Sequence, residues 1–358
     1  MFKRIVALLL ALILASGVLS ALAEDDLTTI GNTKSNKIKL KKSYADNPVV
    51  EGVSSTTGLP ASGEVYTPIL IVVDNAEDAH PHWGIGDADI MFQIPNAGAG
   101  ATKLLALFGD HYPEAAGGVR SARSSMVPVA KAWDATFAYA GAPDLGSVNA
   151  SPEYLMRRFG MTKTNRAYSI MGHFGQREKF MATPHNMSCM VRQLHDELIS
   201  KGVTYEQRPF LFTDEPRTDG EAAEFIQILH RGDNPKNNSN HASAATYTYD
   251  FESDAYVRAN SKGDFIDRLT GAPILFRNLI VVRTRFVWNG NYVSLKDNLV
   301  GSGVAEVFQN GRYVRGAWFR DSQDDRLVFI GPDGKELPMQ RGKSFIIITN
   351  DVTEVSYR

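Results

Sequence analysis

Three tight-turn dipeptides constrain the fold of the second half of the chain more than any other feature of the sequence. They separate short runs of β-branched and aromatic residues, and they are Asn289-Gly290, Asn310-Gly311 and Asp333-Gly334. Asn-Gly and Asp-Gly favour two-residue hairpin turns, in which both central residues need positive φ. The runs have the length of strands and cover residues 279–287, 304–308, 312–318 and 344–349. The sequence therefore predicts a mainly antiparallel β domain over residues 244–358.

The first half has a different pattern, in which apolar runs of strand length alternate with helical segments. The runs cover residues 67–73, 103–108 and 136–140, and helices are expected near residues 125–133 and 151–159. Ser151 is a suitable N-cap for the second helix, and Pro152 is a suitable first residue. This alternation predicts an α/β domain over residues 64–231.

Two polar segments set the limits of these domains. Residues 232–241 contain no core-forming hydrophobic residue, so we predict a linker over residues 232–243. Residues 24–63 are poor in aromatic residues and predict a flexible tether. This tether contains a group of lysines, Lys34, Lys37, Lys39, Lys41 and Lys42. An alternative is that these lysines contact anionic wall polymer or lipid headgroups.

The N-terminus has the pattern of a secretory signal peptide over residues 1–23. Lys3 and Arg4 precede an uncharged stretch that ends in Ala21-Leu22-Ala23. We expect cleavage after Ala23 and an exported protein that is extracellular or associated with the cell wall. Membrane contact would occur at most through the N-terminal segment. The alternative is a membrane anchor formed by the uncleaved segment, because residues 5–23 contain no charge.

Charge and cysteine content exclude several classes of protein. The formal net charge of −2 provides no global field for nucleic acid, so no nucleic-acid partner is expected. Cys189 is the only cysteine, which excludes an intramolecular disulfide and a thiolate metal cluster. It lies in a segment of helical periodicity over residues 188–200, where we expect a buried thiol and Ser188 as N-cap. No cysteine follows the N-terminal apolar stretch, so no lipid anchor is expected.

General catalytic motifs are absent from the sequence. It contains no Gly-x-Ser-x-Gly elbow, Ser-x-x-Lys, P-loop, His-Glu-x-x-His or dinucleotide fingerprint. His80-Pro81-His82 offers two imidazoles without a third ligand at the spacing of a metal site, which favours a surface turn. We therefore expect neither a metal nor a cofactor.

Positive charge is concentrated in residues 117–125, before the helix expected near residue 125. This loop contains Arg120, Ser121 and Arg123. A helix N-terminus presents free N–H groups, so two guanidiniums beside it predict a site for a carboxylate or phosphate. In the alternative, the arginines only brace the fold by pairing with carboxylates of the chain, such as those of Asp110, Glu114 or Asp134, or that of Asp74.

Two further residue pairs complete the candidate ligand site. Asp74 and Asn75 follow the first strand at its carboxyl end, the edge at which open α/β sheets bind ligands. An Asx turn is the alternative for this pair. His185 and Asn186 place an imidazole beside an amide, which can orient a substrate or a water. A hydrogen-bonded structural role is the alternative for His185.

These motifs, in this order, resemble the YerB-like family of bacterial envelope lipoproteins, which pairs an N-terminal and a C-terminal domain of unknown function. The resemblance covers residues 67–357, and its most distinctive part is Gly-Val-Arg-Ser-Ala-Arg at residues 118–123. The other similar segments are residues 67–75, 84–90, 102–103, 183–186, 299–303, 310–311 and 316–318. Lys103 stands where the family usually has arginine.

Two departures from the family bear on function. Family members usually have an acylated cysteine, which this chain lacks near its N-terminus. They also tend to have two glutamates at the places that Gln93 and Ala97-Gly98 occupy here. If those carboxylates perform acid/base chemistry in the family, this chain has lost it. If they bind hydroxyl groups of a ligand, Gln93 can still serve.

The sequence favours a binding or accessory protein of the bacterial envelope that recognises an anionic or glycan ligand in a cleft of the α/β domain. The candidate ligand residues are Asp74, Asn75, Gln93, Arg120, Ser121, Arg123, His185 and Asn186. One alternative is a hydrolase of cell-wall polymer, with His185 or Asp74 as general base and the arginines stabilising an oxyanion. Another is a structural partner of other envelope proteins. The sequence alone does not decide whether the chain is an enzyme.

Overall fold

The structure is a computed structural model that describes residues 28–29, 38–96, 100–146, 148–230, 243–290 and 292–358. The predicted signal peptide, most of the predicted linker, and Lys34, Lys37, Ala97 and Gly98 lie outside the described residues. Within the described ranges, no helix is long and apolar enough to cross a membrane.

Strands dominate the described part of the chain. In the first half they are β1 (Thr28–Thr29), β2 (Ile69–Val73), β3 (Ile90–Pro95), β4 (Thr102–Phe108), β5 (Ala116–Gly117), β6 (Thr136–Tyr139), β7 (Ala167–Ser169), β8 (Gly175–Arg177), β9 (Met187–Cys189), β10 (Phe212–Thr213), β11 (Glu221–Ala222) and β12 (Phe225–His230). In the second half they are β13 (Ser243–Asp250), β14 (Ala255–Asn260), β15 (Gly263–Asp264), β16 (Leu275–Phe276), β17 (Asn278–Arg283), β18 (Phe286–Asn289), β19 (Tyr292–Leu295), β20 (Gly301–Gln309), β21 (Arg312–Arg320), β22 (Val328–Ile330), β23 (Met339–Gln340), β24 (Ser344–Thr349) and β25 (Glu354–Tyr357). The α-helices are α1 (Val127–Ala132), α2 (Pro152–Arg158) and α3 (Val191–Ser200).

One mixed sheet joins the two halves of the chain. Its described strands follow the order β11-β21-β20-β17-β24-β3-β4-β2-β6-β7, and β22 pairs with β21. Strand β24, near the end of the sequence, runs parallel to both β3 and β17. At its start, Ser344 pairs with Ile90 on one side and with Asn278 on the other. The central sheet is therefore continuous across both predicted domains.

Both faces of the central sheet are covered. A second sheet, with the order β1-β25-β12-β13-β14-β15 and β16 on β14, packs on one face. Phe345 of β24 contacts the rings of Tyr247 and Phe276 from this second sheet, at centroid distances of 5.5 and 5.0 Å. Helices α1 and α2 pack on the other face. Strand β2 is consequently buried on both sides, which explains its unbroken apolar sequence.

The predicted fold class is confirmed. The first half combines a mixed sheet with short helices, and the second half is mainly antiparallel, with β24 as a parallel exception. Asn310 and Gly311 have φ of 52° and 67° and connect β20 to β21, as the turn dipeptide predicts. Helix α2 begins after Ser151, whose side chain accepts a hydrogen bond from the backbone N–H of Tyr154.

The prediction for the segment around Cys189 is partly wrong. Cys189 is buried, as expected. However, Ser188 is not an N-cap, because residues 187–189 form strand β9, which pairs with β5 and β8. The helix begins at Val191, and Gly202 follows it with φ of 66°. Pairing with distant strands has overridden the local helical periodicity at residues 188–190.

Contacts of the described residues bear on the predicted tether and domain boundary. Residues 54–57 are buried on the folded body, and the Thr56 hydroxyl donates a 2.6 Å hydrogen bond to Asp89. Part of the segment from residue 38 to residue 63 therefore packs against the folded body and does not form a free tether. Strands β10, β11 and β12 pair with β23, β21 and β13, all from the second half. The chain therefore joins the C-terminal strands before residue 231.

Candidate functional site

A buried carboxylate organises the candidate site. Asp74 follows β2 and is 1% exposed. The antiparallel pairing of β2 with β4 puts Val73 opposite Leu104, so the flanking residues Asp74 and Lys103 lie side by side. Lys103 Nζ is 2.6 Å from Asp74 Oδ1. On the other oxygen, Oδ2, Arg120 Nε lies at 3.0 Å and His185 Nδ1 at 2.9 Å. We call these four residues the Asp74 cluster.

Backbone pairing positions Arg120 and His185 beside Asp74. The N–H of Asp74 donates to Gly118 O, and the N–H of Arg120 donates to Val72 O, both at 2.9 Å. Residues 118–123, which we call the arginine loop, thus begin as a short extension of the sheet beside β2. A Cβ atom on Gly118 would lie 2.1 Å from the carbonyl oxygen of His185. Glycine at position 118 therefore permits the close approach of the loop that contains His185.

Electrostatics keep Asp74 ionised. Burial opposes its charged form, but the adjacent Lys103, Arg120 and His185 lower the pKa of Asp74 to about 2. Burial lowers the pKa of Lys103, Asp74 opposes this shift, and the positive charges of Arg120 and Arg123 add to it. Two cationic side chains, Lys103 and Arg120, thus pair with one carboxylate, which leaves an excess of positive charge.

The two arginines of the loop have different surroundings. The Arg120 side chain is 32% exposed, and its Nη1 donates to Pro184 O at 3.1 Å. Arg123 is half-buried, donates to Ala122 O at 2.8 Å, and has its guanidinium 6.0 Å from the ring centre of Tyr292. Burial lowers the pKa of Arg123. Within the described ranges, Arg120 pairs with Asp74, as the fold-bracing alternative allows, whereas neither arginine forms an ion pair with Asp110, Glu114 or Asp134.

Three of the predicted site residues have structural partners. Ser121 donates its hydroxyl to Ala140 O at 3.0 Å. Asn186 is buried, receives a 2.8 Å hydrogen bond from Arg177, and donates to Glu178 O at 3.0 Å. Gln93 is 1% exposed and lies on β3. These positions favour support of the neighbouring loops over direct contact with a ligand.

A polar chain connects Gln93 to Asn75. Gln93 Nε2 and Asn75 Nδ2 both donate to Thr102 Oγ1, at 3.0 and 2.8 Å. Asn75 Oδ1 in turn lies 3.2 Å from His80 Nε2. Thr102 was missed as a site residue, although its place in the Thr-Lys pair of the family resemblance was a signal. Lys103, the closest partner of Asp74, was missed in the same way.

The prediction of a surface turn at His80-Pro81-His82 is wrong. His82 is completely buried, and its Nε2 lies 2.6 Å from the backbone oxygen of Asp74. Burial lowers the pKa of His82 to about 4, so the ring is neutral. The described residues include no group of three histidine, cysteine or acidic side chains that could hold a metal ion.

Two of the described cavities lie away from the Asp74 cluster. One groove of about 980 Å³ is lined by residues of the second half together with Ile38 and Leu40. A second cavity of about 360 Å³ lies between residues 84–87 and 267–275. Neither is lined by a residue of the arginine loop. The cluster is thus a partly exposed surface site.

Comparisons with known proteins cover both halves of the chain. The family model described as "Protein of unknown function (DUF3048) N-terminal domain" matches residues 56–204, and the model for the DUF3048 C-terminal domain matches residues 236–346. YerB of Bacillus subtilis (strain 168), which is named as a candidate lipoprotein, is 26% identical over 309 residues. This match spans 84% of the chain and 87% of YerB. The chain belongs to the YerB-like family.

The solved structure of a YerB-like protein agrees with the fold. The crystal structure of YerB from Bacillus subtilis matches with a TM-score of 0.68 and 24% sequence identity. The match covers 85% of this chain and 99% of that one. The resemblance found in the motifs is therefore confirmed by both sequence and fold. The matched segment of the first model ends before β10, at the point where the chain joins the C-terminal strands.

Proposed function

We propose that this YerB-like chain is an envelope-associated protein that binds an anionic ligand, such as a cell-wall polymer, at the arginine loop. The observation behind the proposal is the charge imbalance of the site. One carboxylate, Asp74, pairs with the two cations Lys103 and Arg120, and the positive charge of Arg123 acts on Lys103. A phosphate or carboxylate of a ligand would balance the remaining positive charge.

Arg120 is the best candidate for direct contact with the ligand. Its Nε is fixed by buried Asp74 while a third of the side chain stays exposed. A guanidinium held in this way loses little conformational freedom when it binds, which favours affinity. Arg123 is held less tightly, through backbone carbonyls and the face of Tyr292.

Binding to defined polymers tests this proposal. The probes are labelled poly(glycerol phosphate) and a neutral glucan of the same length, measured by titration at low and high salt. We expect the wild type to bind the phosphate polymer more tightly, and Arg120→Gln and Arg123→Gln to weaken it by about tenfold or more, since a hydrogen bond to a charged group contributes about 1.5–3 kcal/mol. Arg192→Gln is the matched control, because Arg192 is similarly exposed at 29% and pairs with Glu64 elsewhere.

Two results would contradict the proposal. One is wild-type protein that binds neither polymer, or that binds both equally. The other is an affinity for poly(glycerol phosphate) that Arg120→Gln and Arg192→Gln reduce to the same extent, because non-specific charge attraction then explains the binding.

A hydrolase of wall polymer is a second candidate, favoured by the contact between His185 and Asp74. A carboxylate 2.9 Å from Nδ1 orients the imidazole, and 19% of the His185 side chain is exposed. Asp74 is a poorer general base, since its pKa of about 2 leaves little basicity. Release of reducing ends or free amines from isolated cell walls by the wild type, but not by His185→Gln, is the expected result. Equal release by both proteins would exclude this role for His185.

The envelope location in this proposal rests on the N-terminal sequence and on the name of the relative. N-terminal sequencing of protein recovered outside the cytoplasm is expected to begin at Glu24. A membrane-retained form that keeps Lys3 would instead favour the uncleaved anchor. Docking to other envelope proteins is a further part of the proposal, which cross-linking in intact cells would test.

A further inference from the structure

A second polar cluster is enclosed between the two large sheets. His230 of β12, Tyr247 of β13 and Arg258 of β14 are 2%, 0% and 2% exposed. Tyr247 and Arg258 are directly opposite each other across β13 and β14. The guanidinium carbon of Arg258 lies 5.5 Å from the ring centre of Phe345 in the central sheet. We call His230, Tyr247 and Arg258 the Arg258 cluster.

Several polar atoms of this cluster lack a hydrogen-bond partner. They are Nε and Nη1 of Arg258 and both ring nitrogens of His230. The Tyr247 hydroxyl interacts with the Arg258 guanidinium, and its own O–H proton has no acceptor. Buried polar groups in native proteins are nearly always satisfied, because an unsatisfied donor loses its bonds to water without replacement. The unpartnered N–H groups of Arg258, beside the Tyr247 hydroxyl, indicate a place for an acceptor.

Arg258 differs from the other buried arginines of the described chain. Those are Arg208, Arg283, Arg320 and Arg326. Each of them donates to a carboxylate or to backbone carbonyls, as Arg283 does to Glu306 and as Arg320 does to three carbonyl oxygens. Arg258 instead faces aromatic rings, with Phe265 at 4.8 Å and Phe345 at 5.5 Å. Ring faces attract a cation but do not accept its hydrogen bonds as an anion does.

The carboxylates of the neighbouring elements are already engaged. Asp74 is held by Lys103 and Arg120. Asp267 accepts hydrogen bonds from backbone N–H groups, including that of Gly86 at 2.7 Å. No ion pair joins Arg258 to a carboxylate in the part of the chain that the structure describes. The positive charge of Arg258 is therefore not neutralised by these side chains.

We propose that the Arg258 cluster is an interior binding site for a small inorganic anion of halide size. Arg258 supplies two N–H donors and Tyr247 supplies an O–H donor. Burial and the positive charge of Arg258 lower the pKa of His230 to about 3, so its ring is neutral. His230 lies four residues beyond Ile226, the residue of β12 that pairs with Tyr247. The near-complete burial of all three side chains limits the ligand to a small ion.

Bromide tests the site directly, because it scatters anomalously and replaces chloride. Crystals of the wild-type protein grown with bromide as the only halide are expected to show an anomalous peak within hydrogen-bond distance of Arg258 Nε and the Tyr247 hydroxyl. Ordered water without anomalous signal at these atoms would overturn the proposal. Peaks confined to the surface, an adventitious ion only, would overturn it too.

A melting assay tests the same site in solution. The melting temperature of the wild type in sodium bromide is expected to exceed that in sodium gluconate, at equal ionic strength, by about 3 °C or more. Tyr247→Phe should reduce this difference by half or more, and Arg258→Met should abolish it. Tyr256→Phe is the matched control, because Tyr256 is equally buried but donates to Ala223 O.

The control variant separates a bound ion from a general salt effect. Tyr256→Phe is expected to keep the full bromide-dependent difference, whatever its own melting temperature. An equal difference in the wild type, Tyr247→Phe and Tyr256→Phe would overturn the proposal, as would no difference in the wild type. If Arg258→Met does not fold, Tyr247→Phe and the bromide crystals decide the question.

Discussion

The ion pair between Asp74 and Lys103 allows a quantitative test of the site. Folding lowers the pKa of Asp74 from 3.8 to about 2. At about 1.4 kcal/mol per pKa unit, this shift corresponds to roughly 2–3 kcal/mol of stability at neutral pH. Asp74→Asn also leaves Lys103, whose side chain is 10% exposed, without its carboxylate. Because breaking a buried pair costs about 3–5 kcal/mol, we expect Asp74→Asn to lower the free energy of unfolding by this amount.

The effect of Asp74→Asn should depend on pH in one direction. A carboxyl whose pKa is lowered by folding contributes its full stability above the unfolded pKa of 3.8. That contribution is lost as the pH falls towards the folded pKa of about 2. The difference in unfolding free energy between wild type and Asp74→Asn should therefore shrink between pH 4 and pH 2.

Urea denaturation of a double-mutant cycle measures the pair itself. The cycle comprises wild type, Asp74→Asn, Lys103→Met and the double variant. We expect the double variant to lose at least about 1 kcal/mol less than the sum of the single losses, since contacting residues couple by about 0.5–3 kcal/mol. Asp196→Asn is the control, because its side chain is 64% exposed and surface changes stay within about 0.5 kcal/mol. Additive single losses, or an Asp74→Asn protein as stable as the control, would refute the reasoning.

Three other predictions concern backbone geometry and protonation. Gly311→Val should cost about 1–3 kcal/mol because Gly311 has φ of 67°, whereas Gly311→Asn should cost less; equal losses in urea denaturation would contradict this. Gly118→Ala should destabilise by about 1–3 kcal/mol, because its Cβ would meet the His185 carbonyl; an unchanged urea midpoint would contradict the close approach. Burial lowers the pKa of His82 from 6.5 to about 4. As the pH is lowered from 6.5 to 4, the imidazole is therefore protonated in the unfolded chain before it is protonated in the folded protein, and the free energy of unfolding decreases. The stability advantage of wild type over His82→Gln should thus shrink by about 3 kcal/mol from pH 6.5 to pH 4, and a constant difference would show that His82 does not titrate there.

Local patterns predicted several of the longer strands and the start of helix α2. An apolar run such as residues 67–73 favours a buried strand, and an Asn-Gly pair can adopt the positive φ that a tight hairpin turn needs. Both features are independent of the rest of the chain. The predicted strand at residues 344–349 and the predicted hairpin at Asn310-Gly311 accordingly agree with the structure.

Features that depend on distant pairing were not predictable from local sequence. Lys103 looks like the polar start of an apolar run until β4 is placed beside β2, which puts it next to Asp74. Ser188 precedes a helical pattern, but pairing of β9 with two other strands extends that segment. The cluster around Asp74 was predicted in part, since Asp74, Arg120 and His185 meet, whereas Ser121 and Asn186 have backbone or loop partners.

The position of β24 has a consequence for the order in which the molecule can fold. This strand is made after residue 343, yet it lies between β3 and β17, which are made much earlier. Until it emerges, the edges of both strands stay open, and exposed strand edges are sites of wrong pairing. Completion of the central sheet must therefore wait until residues 344–349 have been synthesised. Stalling or truncating the chain before residue 344 should yield a protease-sensitive, aggregation-prone product in place of a smaller native protein.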